Sequence, residues 1–255
     1  MRIRYYIITG IVAYCTFLIT TVPAAPVLSL LAERTPVTFT NVTGTLWSGR
    51  AGTIYTRRNI ILNNVEWSFQ PSRLLLAKVS VNVDAEFNNN PFNSQLSTGI
   101  SGKLVVDKLD MQLDARDIAS LVTLPLGELS GEFVLQIDHA VFSPGSVPRI
   151  DGKLDWKQAT ITIAETADLG NVSILVNSTD ESPLAATITN AGGHLALNGK
   201  FTTTDQGVYA LQLAMKPNST ASDNLVNSLA MFAKKQRNGE FILNNSGNLQ
   251  TLGVM

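Results

Sequence analysis

Apolar and polar residues alternate with a period of two along most of the chain beyond about residue 43, and this pattern restricts the fold more than any other feature. Such a segment buries one face as a strand, whereas a helix would spread its apolar side chains over its whole surface. The clearest runs contain Leu109, Met111 and Leu113; Phe133, Leu135 and Ile137; Val172, Ile174 and Val176; and Tyr209, Leu211, Leu213 and Met215. The sequence therefore predicts antiparallel strands that are covered on one side.

Turn-forming residues separate these runs, at 88–91, 143–145, 190–193 and 205–207. We therefore expect a mainly β fold, an extended and curved antiparallel sheet of hairpins, whose edges must be paired or shielded. A triplet of glycine, charged residue and apolar residue recurs, and each copy is predicted to open a strand. These triplets begin at Gly102, Gly131, Gly152, Gly199 and Gly239.

One or two short helices complete the predicted fold. The stronger pattern spans 222–238, with Ser222 or Asp223 as the N-cap and apolar residues at helical spacing. Basic residues fill its predicted last turn, and Gly239 is the predicted C-cap. A second helix of two turns is predicted over 114–121.

The N-terminus carries Arg2 and Arg4, followed by an uncharged run over 5–22. A helix of that length spans about 27 Å, which is enough for a bilayer core. The positive-inside rule then leaves the N-terminus in the cytoplasm and the bulk of the chain across the membrane. The alternative is a cleaved signal peptide, since 22–24 resembles a small-residue cleavage site.

These patterns divide the chain into four parts. Residues 1–4 form a cytoplasmic tip, 5–22 a transmembrane signal-anchor helix that contacts the lipid bilayer, 23–43 a stalk or linker, and 44–255 a β-rich domain.

Composition and motifs argue against several functions. The chain has 19 basic and 20 acidic residues, so it lacks the basic surplus of a nucleic-acid binder. One cysteine, Cys15, and two histidines, His139 and His194, leave little for a disulfide framework or a metal site. No phosphate-binding glycine loop and no Gly-x-Ser-x-Gly elbow occurs. We expect no enzyme activity, no cofactor and no metal.

The tryptophans lie in the most distinctive sequence contexts. Trp47 belongs to a glycine-bracketed block, Trp67 to an alternating strand that leads into Pro71-Ser-Arg-Leu-Leu-Leu, and Trp156 to Gly152-Lys-Leu-Asp-Trp. The block around Trp47 consists of Gly44, Thr45, Leu46, Trp47, Ser48 and Gly49, followed by Arg50 and Ala51. Large rings that pack the core of a thin sheet would also explain all three.

Several segments, taken in their order along the chain, resemble protein N of the type II secretion system, the general secretion pathway protein N family. They are the anchor, the block at 44–51, Trp67 with the segment that follows it, 124–131, 152–156 and 191–199. The resemblance implies a single-pass inner-membrane protein of Gram-negative bacteria with a periplasmic domain. It also implies an accessory role in exporting folded proteins across the outer membrane, without catalytic residues. Its partners would be other subunits of the system, with the secretin as a further candidate. A sheet edge that pairs with a partner's strand is the mechanism that fits this reading.

A different class of function fits the same pattern. A long sheet with a continuous apolar face can form an open groove for acyl chains, as in periplasmic lipid-transport proteins. The glycine-led strands and the block at 115–121 resemble that group weakly. A lipid ligand is therefore the alternative hypothesis.

Overall fold

The computed structural model describes residues 2–35, 37–56, 61–117, 128–162 and 165–252. Within these ranges the protein is mainly β, with 15 strands, three α-helices and two short 3₁₀ helices. Every described strand pairing is antiparallel. The mainly β, antiparallel prediction is confirmed.

The chain divides into two compact units, Met1–Pro91 and Phe92–Met255. The first unit begins with helices α1 (Arg2–Thr20) and α2 (Ala24–Arg34). Its strands are β1 (Val37–Thr40), β2 (Thr43–Gly44), β3 (Ser48–Thr56), β4 (Ile61–Phe69) and β5 (Lys78–Phe87), with a 3₁₀ helix at Pro71–Leu76. They lie in the order β1-β3-β4-β5, and β2 pairs with β3.

The second unit continues the succession of hairpins. Its strands are β6 (Asn90–Gly99), β7 (Leu104–Asp114), β8 (Glu128–Phe142), β9 (Arg149–Thr162), β10 (Thr166–Asn177), β11 (Ala185–Ala191), β12 (Leu195–Thr203), β13 (Val208–Pro217), β14 (Lys234–Lys235) and β15 (Phe241–Asn248). Helix α3 (Asp223–Phe232) precedes β14, and a 3₁₀ helix (Leu249–Leu252) follows β15. The strands run in chain order from β6 to β13, then β15 and β14.

Strand register explains where the core of the second unit lies. Phe133 is paired with both Leu113 and Trp156, and Trp156 with Val172, so these four side chains share one face of the sheet. All four are buried. Farther along the chain, Met215 and Phe241 are paired and buried, and α3 buries Leu225 and Leu229. The core is therefore the apolar face that the alternating pattern predicts.

Among the described residues, no helix combines the length and the hydropathy that crossing a membrane requires. Helix α1 covers most of the predicted anchor and ends at Thr20. Strand β1 falls within the range predicted as a stalk and pairs with β3. The four-part division of the chain stays a prediction.

The predicted end of the helix over 222–238 is wrong. Ser222 caps α3 as expected, because its side chain accepts a hydrogen bond from the N–H of Leu225, but the helix stops at Phe232. Lys234 and Lys235 pair with Ile242 and Phe241 instead of forming a last helical turn. Phe241 is completely buried, and pairing on both sides of that strand holds it there.

Gly239 also has a different role from the predicted helix cap. It has φ 82° and lies in the turn that joins β14 to β15. The second predicted helix, over 114–121, falls partly outside the described residues. So does the block at 124–131.

Three of the five glycine triplets do not open strands. Gly131, Gly152 and Gly199 lie inside β8, β9 and β12. A Cβ added at Gly199 would lie 2.9 Å from Leu213 Cδ1 and 3.1 Å from Ile188 Cβ, so the glycine makes room for large neighbours on both sides. Sequence patterns do not reveal such cross-strand crowding, because the neighbours are remote in the chain.

Candidate functional site

Residues 44–49, the block that resembles the secretion family most closely, form a tight turn between β2 and β3, which we call the Trp47 turn. Gly44 pairs with Gly49, and the N–H of Thr45 donates to the carbonyl of Ser48 at 2.9 Å. The Thr45 hydroxyl oxygen accepts from the backbone N–H groups of Trp47 at 3.3 Å and Ser48 at 3.2 Å. One threonine therefore satisfies most of the polar backbone of the turn.

The two glycines of the Trp47 turn are required for different reasons. Gly44 has φ +87°, a conformation that favours glycine, and a Cβ there would lie 2.6 Å from the Ser48 carbonyl oxygen. Gly49 is crowded: a Cβ would lie 2.7 Å from the Thr43 carbonyl oxygen and 2.8 Å from Cε2 of Trp67. The glycine bracket thus closes the turn at one end and seats the Trp67 ring at the other.

Trp67 joins the turn from β4. It is paired with Gly49, and its indole N–H donates to the Thr45 carbonyl at 3.2 Å. The ring therefore lies where no side chain competes for space, and its polar tip is satisfied by the turn. The structure brings together seven of the eight predicted site residues: Gly44, Thr45, Leu46, Trp47, Ser48, Gly49 and Trp67.

Trp47 and Leu46 tie the turn to the chain where α1 ends. The indole N–H of Trp47 donates to the Ile19 carbonyl at 2.6 Å, and the N–H of Leu46 donates to the Val22 carbonyl at 3.1 Å. The last carbonyls of a helix have no partner within it, so the bond from Trp47 to Ile19 satisfies a group that otherwise needs water. Pro23 and Thr45 form an isolated bridge beside them.

Phe69 completes this contact from the end of β4. Its N–H donates to the Trp47 carbonyl at 2.7 Å, and its ring centroid lies 4.8 Å from that of Trp47. The Trp47 turn therefore connects the α1–α2 junction to the sheet of the first unit. The contacts described here are hydrogen bonds to the backbone and ring packing, which position the chain.

Trp156, the remaining predicted site residue, lies in the second unit. Its indole N–H donates to the Ser130 carbonyl at 2.9 Å, and its ring stacks on Phe133 with centroids 5.0 Å apart. The pairing of β8 with β9 shifts register at Gly131, where a Cβ would lie 2.9 Å from the Trp156 indole nitrogen. Like Trp67, Trp156 packs its ring against a glycine of the neighbouring strand, but Trp156 is part of the core of the second unit.

A charged concavity of about 600 Å³ lies on the polar face of β8–β10. Lys153 Nζ and Asp155 Oδ2 in its lining are 2.6 Å apart. Burial acts to raise the pKa of Asp155, but hydrogen bonds from Lys153 and Ser173 and the charge of Lys157 outweigh it and lower the pKa below 3.8. This carboxylate therefore stabilises the fold above that pH, and its contribution is lost as the pH falls through the lowered pKa.

Within the ranges that the structure describes, no group of three His, Cys, Asp or Glu residues could hold a metal ion. His139 contacts Asp107 at 2.6 Å across β7 and β8, an exposed pair that lies at the surface of the sheet. The charged side chains of these strands thus pair with each other, as in His139 with Asp107 and Lys153 with Asp155.

Strand β15 presents an open edge that sequence reasoning did not locate. Its whole length pairs with β13, whereas on the other side, among the residues that the structure describes, only β14 pairs with it, at Phe241 and Ile242. The N–H of Leu249, at the end of β15, donates to the Gly207 carbonyl and therefore points to the β13 side. The carbonyl of Glu240, just before β15, accepts from the Gln236 N–H and therefore points to the β14 side. Successive residues of an antiparallel strand point their N–H and C=O groups to opposite sides. The odd-numbered residues of β15 therefore face β13, and the N–H and C=O groups of Asn244 and Ser246 face the open edge.

The composition of this edge is unusual for an uncovered strand. Residues 243–248 contain no charge and no proline, which are common means of blocking unwanted strand pairing. Sequence patterns could not locate it, because only the short β14 hairpin determines how much of β15 is covered.

Comparisons with known proteins gave one match. No curated protein and no solved structure matches the chain. The sequence model of the family described as type II secretion system (T2SS), protein N, matches residues 35–244, well over half of the 255 residues. The matched range includes the Trp47 turn, Trp67 and Trp156. The chain therefore belongs to the type II secretion system protein N family.

Proposed function

We propose that this protein is a non-enzymatic accessory component of the type II secretion system, which supports the export of folded proteins by contacting other subunits. Family membership supports an accessory role in secretion and a location in the cell envelope, and the family is one of secretion-system components. The contact surface that we assign is the open edge of β15. The observation that carries this assignment is an uncharged, proline-free edge that β14 leaves uncovered beyond Ile242.

Strand addition explains how such an edge gains affinity without a pocket. A partner's extended segment would bond to the outward backbone groups of Asn244 and Ser246, and its side chains would alternate between the two faces of the sheet. The exposed neighbours on the polar face are uncharged Asn, Gln, Ser and Thr groups beside Lys200. This environment favours a partner strand with neutral or acidic polar residues on that face, with the secretin as one candidate source.

Proline substitutions along β15 test this contact. Ser246→Pro removes an N–H that points to the open edge, so the pairing with β13 is retained while partner binding falls at least tenfold. The matched control is Asn245→Pro, which removes an N–H on the β13 side and therefore lowers the melting temperature. Co-purification of other secretion subunits is the measurement. Unchanged recovery with a folded Ser246→Pro protein would contradict the proposal.

We further propose that the N-terminal segment attaches the protein to the inner membrane, with the bulk of the chain in the periplasm. Its support is the uncharged run over 5–22 after two arginines, together with the exposure of Tyr5, Ile8 and Phe17, which are 70%, 58% and 63% exposed. Alkaline extraction of membranes tests it: an attached chain stays in the pellet.

A second candidate function, carriage of a lipid, is favoured by one observation. The apolar face of the second unit is only half-buried over its middle strands, including Leu135, Leu154, Ile174, Leu197 and Leu213. An unfilled apolar face of this kind could receive acyl chains. Lipid adducts from photo-crosslinkers at Leu135 and Leu197 would support this function.

A further inference from the structure

The 3₁₀ helix between β4 and β5 exposes three consecutive leucines. Leu74, Leu75 and Leu76 are 50%, 90% and 66% exposed, and Val79 beside them is 46% exposed. Single exposed apolar residues are ordinary, but a contiguous group at the tip of a hairpin indicates a contact surface. We call residues 71–79 the leucine tip.

The leucine tip is held in its exposed conformation by its own backbone. Pro71 begins the 3₁₀ helix, and Ala77 ends it in the left-handed conformation, with its N–H bonded to the Leu74 carbonyl at 2.9 Å. The hairpin is closed beneath it, since the N–H of Gln70 donates to the carbonyl of the fully buried Ser80 at 2.8 Å. The leucines are therefore fixed away from the sheet.

Charge limits what the leucine tip can contact. Residues 67–83 contain Arg73 and Lys78 and no Asp or Glu. Leucines flanked by cations match the interface of an anionic bilayer, where apolar groups enter the acyl boundary and cations stay among the headgroups.

The position of the leucine tip in the first unit points to the same occupant. The tip follows Phe69, whose ring packs on Trp47, and Trp47 is bonded to Ile19 near the end of α1. Helix α1 carries exposed apolar residues along its length, which require an apolar environment. Helix α2 starts at this junction and exposes Leu30 and Leu31, at 56% and 45%.

We propose that the leucine tip inserts into the surface of an anionic lipid bilayer and, through Phe69 and the Trp47 turn, fixes how the first unit is oriented on the membrane. The proposal rests on the membrane attachment proposed above and does not depend on the β15 edge. Attachment by α1 alone would leave the unit free to tilt, whereas a second contact restrains it.

Lipid-quenching fluorescence tests this contact in the full-length protein. Cys15→Ser removes the one native thiol, and an NBD probe is then placed at Leu75→Cys, Ile11→Cys or Ile61→Cys in separate proteins. Ile61 is the control, because it is also exposed, at 38%, and lies within the first unit at the end of β4 far from Phe69 and the leucine tip. The proteins are reconstituted in vesicles of phosphatidylethanolamine and phosphatidylglycerol that contain doxyl-labelled lipid.

The probe at position 75 should be quenched at least twofold more than the probe at position 61. Arg73→Glu with Lys78→Glu should abolish that difference, because like charges would repel the headgroups. Equal quenching at 75 and 61, with strong quenching at 11, would overturn the tip contact but keep the attachment. Absence of quenching at both 11 and 75 would overturn both proposals. A blue-shifted probe at 75 that doxyl lipid does not quench would mean that protein covers the tip, which overturns the bilayer contact.

Discussion

At Gly49, the absence of a side chain makes room for the Trp67 ring. The Trp67 ring occupies the space that a Cβ would need, and the Trp67 indole then bonds to the turn that holds the end of α1. The resemblance singled out this glycine, but its physical reason emerged only from the pairing of β3 with β4. Residues 49 and 67 are too far apart in sequence for a local pattern to connect them.

Replacing Gly49 with alanine should lower the free energy of unfolding by about 1–3 kcal/mol, because the added methyl clashes with the Trp67 ring and with the Thr43 carbonyl oxygen. Thermal unfolding followed by circular dichroism measures the loss. The control is Trp67→Phe, a smaller ring: in that background Gly49→Ala should cost clearly less, and the difference gives the coupling energy of the pair. Equal costs in both backgrounds would show that the ring is not what excludes the methyl.

At the scale of elements, local patterns predicted the start of α3 but neither its end nor the position of three of the five glycine triplets. Ser222 is the N-cap that the sequence indicates, because capping depends on residues within one turn. The end of α3 depends instead on Phe241, whose burial draws Lys234 and Lys235 into a strand. The same limit applies to Gly131, Gly152 and Gly199, whose roles depend on partners across the sheet.

The α3 cap gives a direct test at this scale. Ser222→Ala should cost about 1 kcal/mol of stability, because the N–H of Leu225 loses its acceptor. In the native protein the Ser222 hydroxyl also donates a hydrogen bond to the Glu165 carboxylate at 2.8 Å. Ser222→Asn is the matched variant, because an asparagine side chain can accept from the Leu225 N–H and donate to Glu165. Urea unfolding compares them. A serine cap that contributes nothing would leave alanine and asparagine equally stable.

At the scale of the molecule, the class of fold and the family can be predicted from the sequence. The surfaces that we propose for contacts depend instead on which strand ends the sheet and which hairpin tip stays exposed. Alternation and turn chemistry predict the antiparallel hairpins, whereas β14 lies where the sequence predicted a helical turn and β1 lies in the predicted stalk. The β15 edge and the leucine tip follow from the length of one partner strand and the exposure of three leucines. Both are surfaces at which we propose that the protein contacts other components of the cell envelope.

Photo-crosslinking in intact secreting cells tests this central claim most directly. A crosslinking amino acid replaces Asn244 at the open edge or, as the control, Lys200, which is exposed on the same face within the sheet. We predict adducts with another secretion subunit from position 244 and none from position 200. No subunit adduct at 244, or equal adducts at both positions, would contradict the claim that this protein acts through the edge of β15.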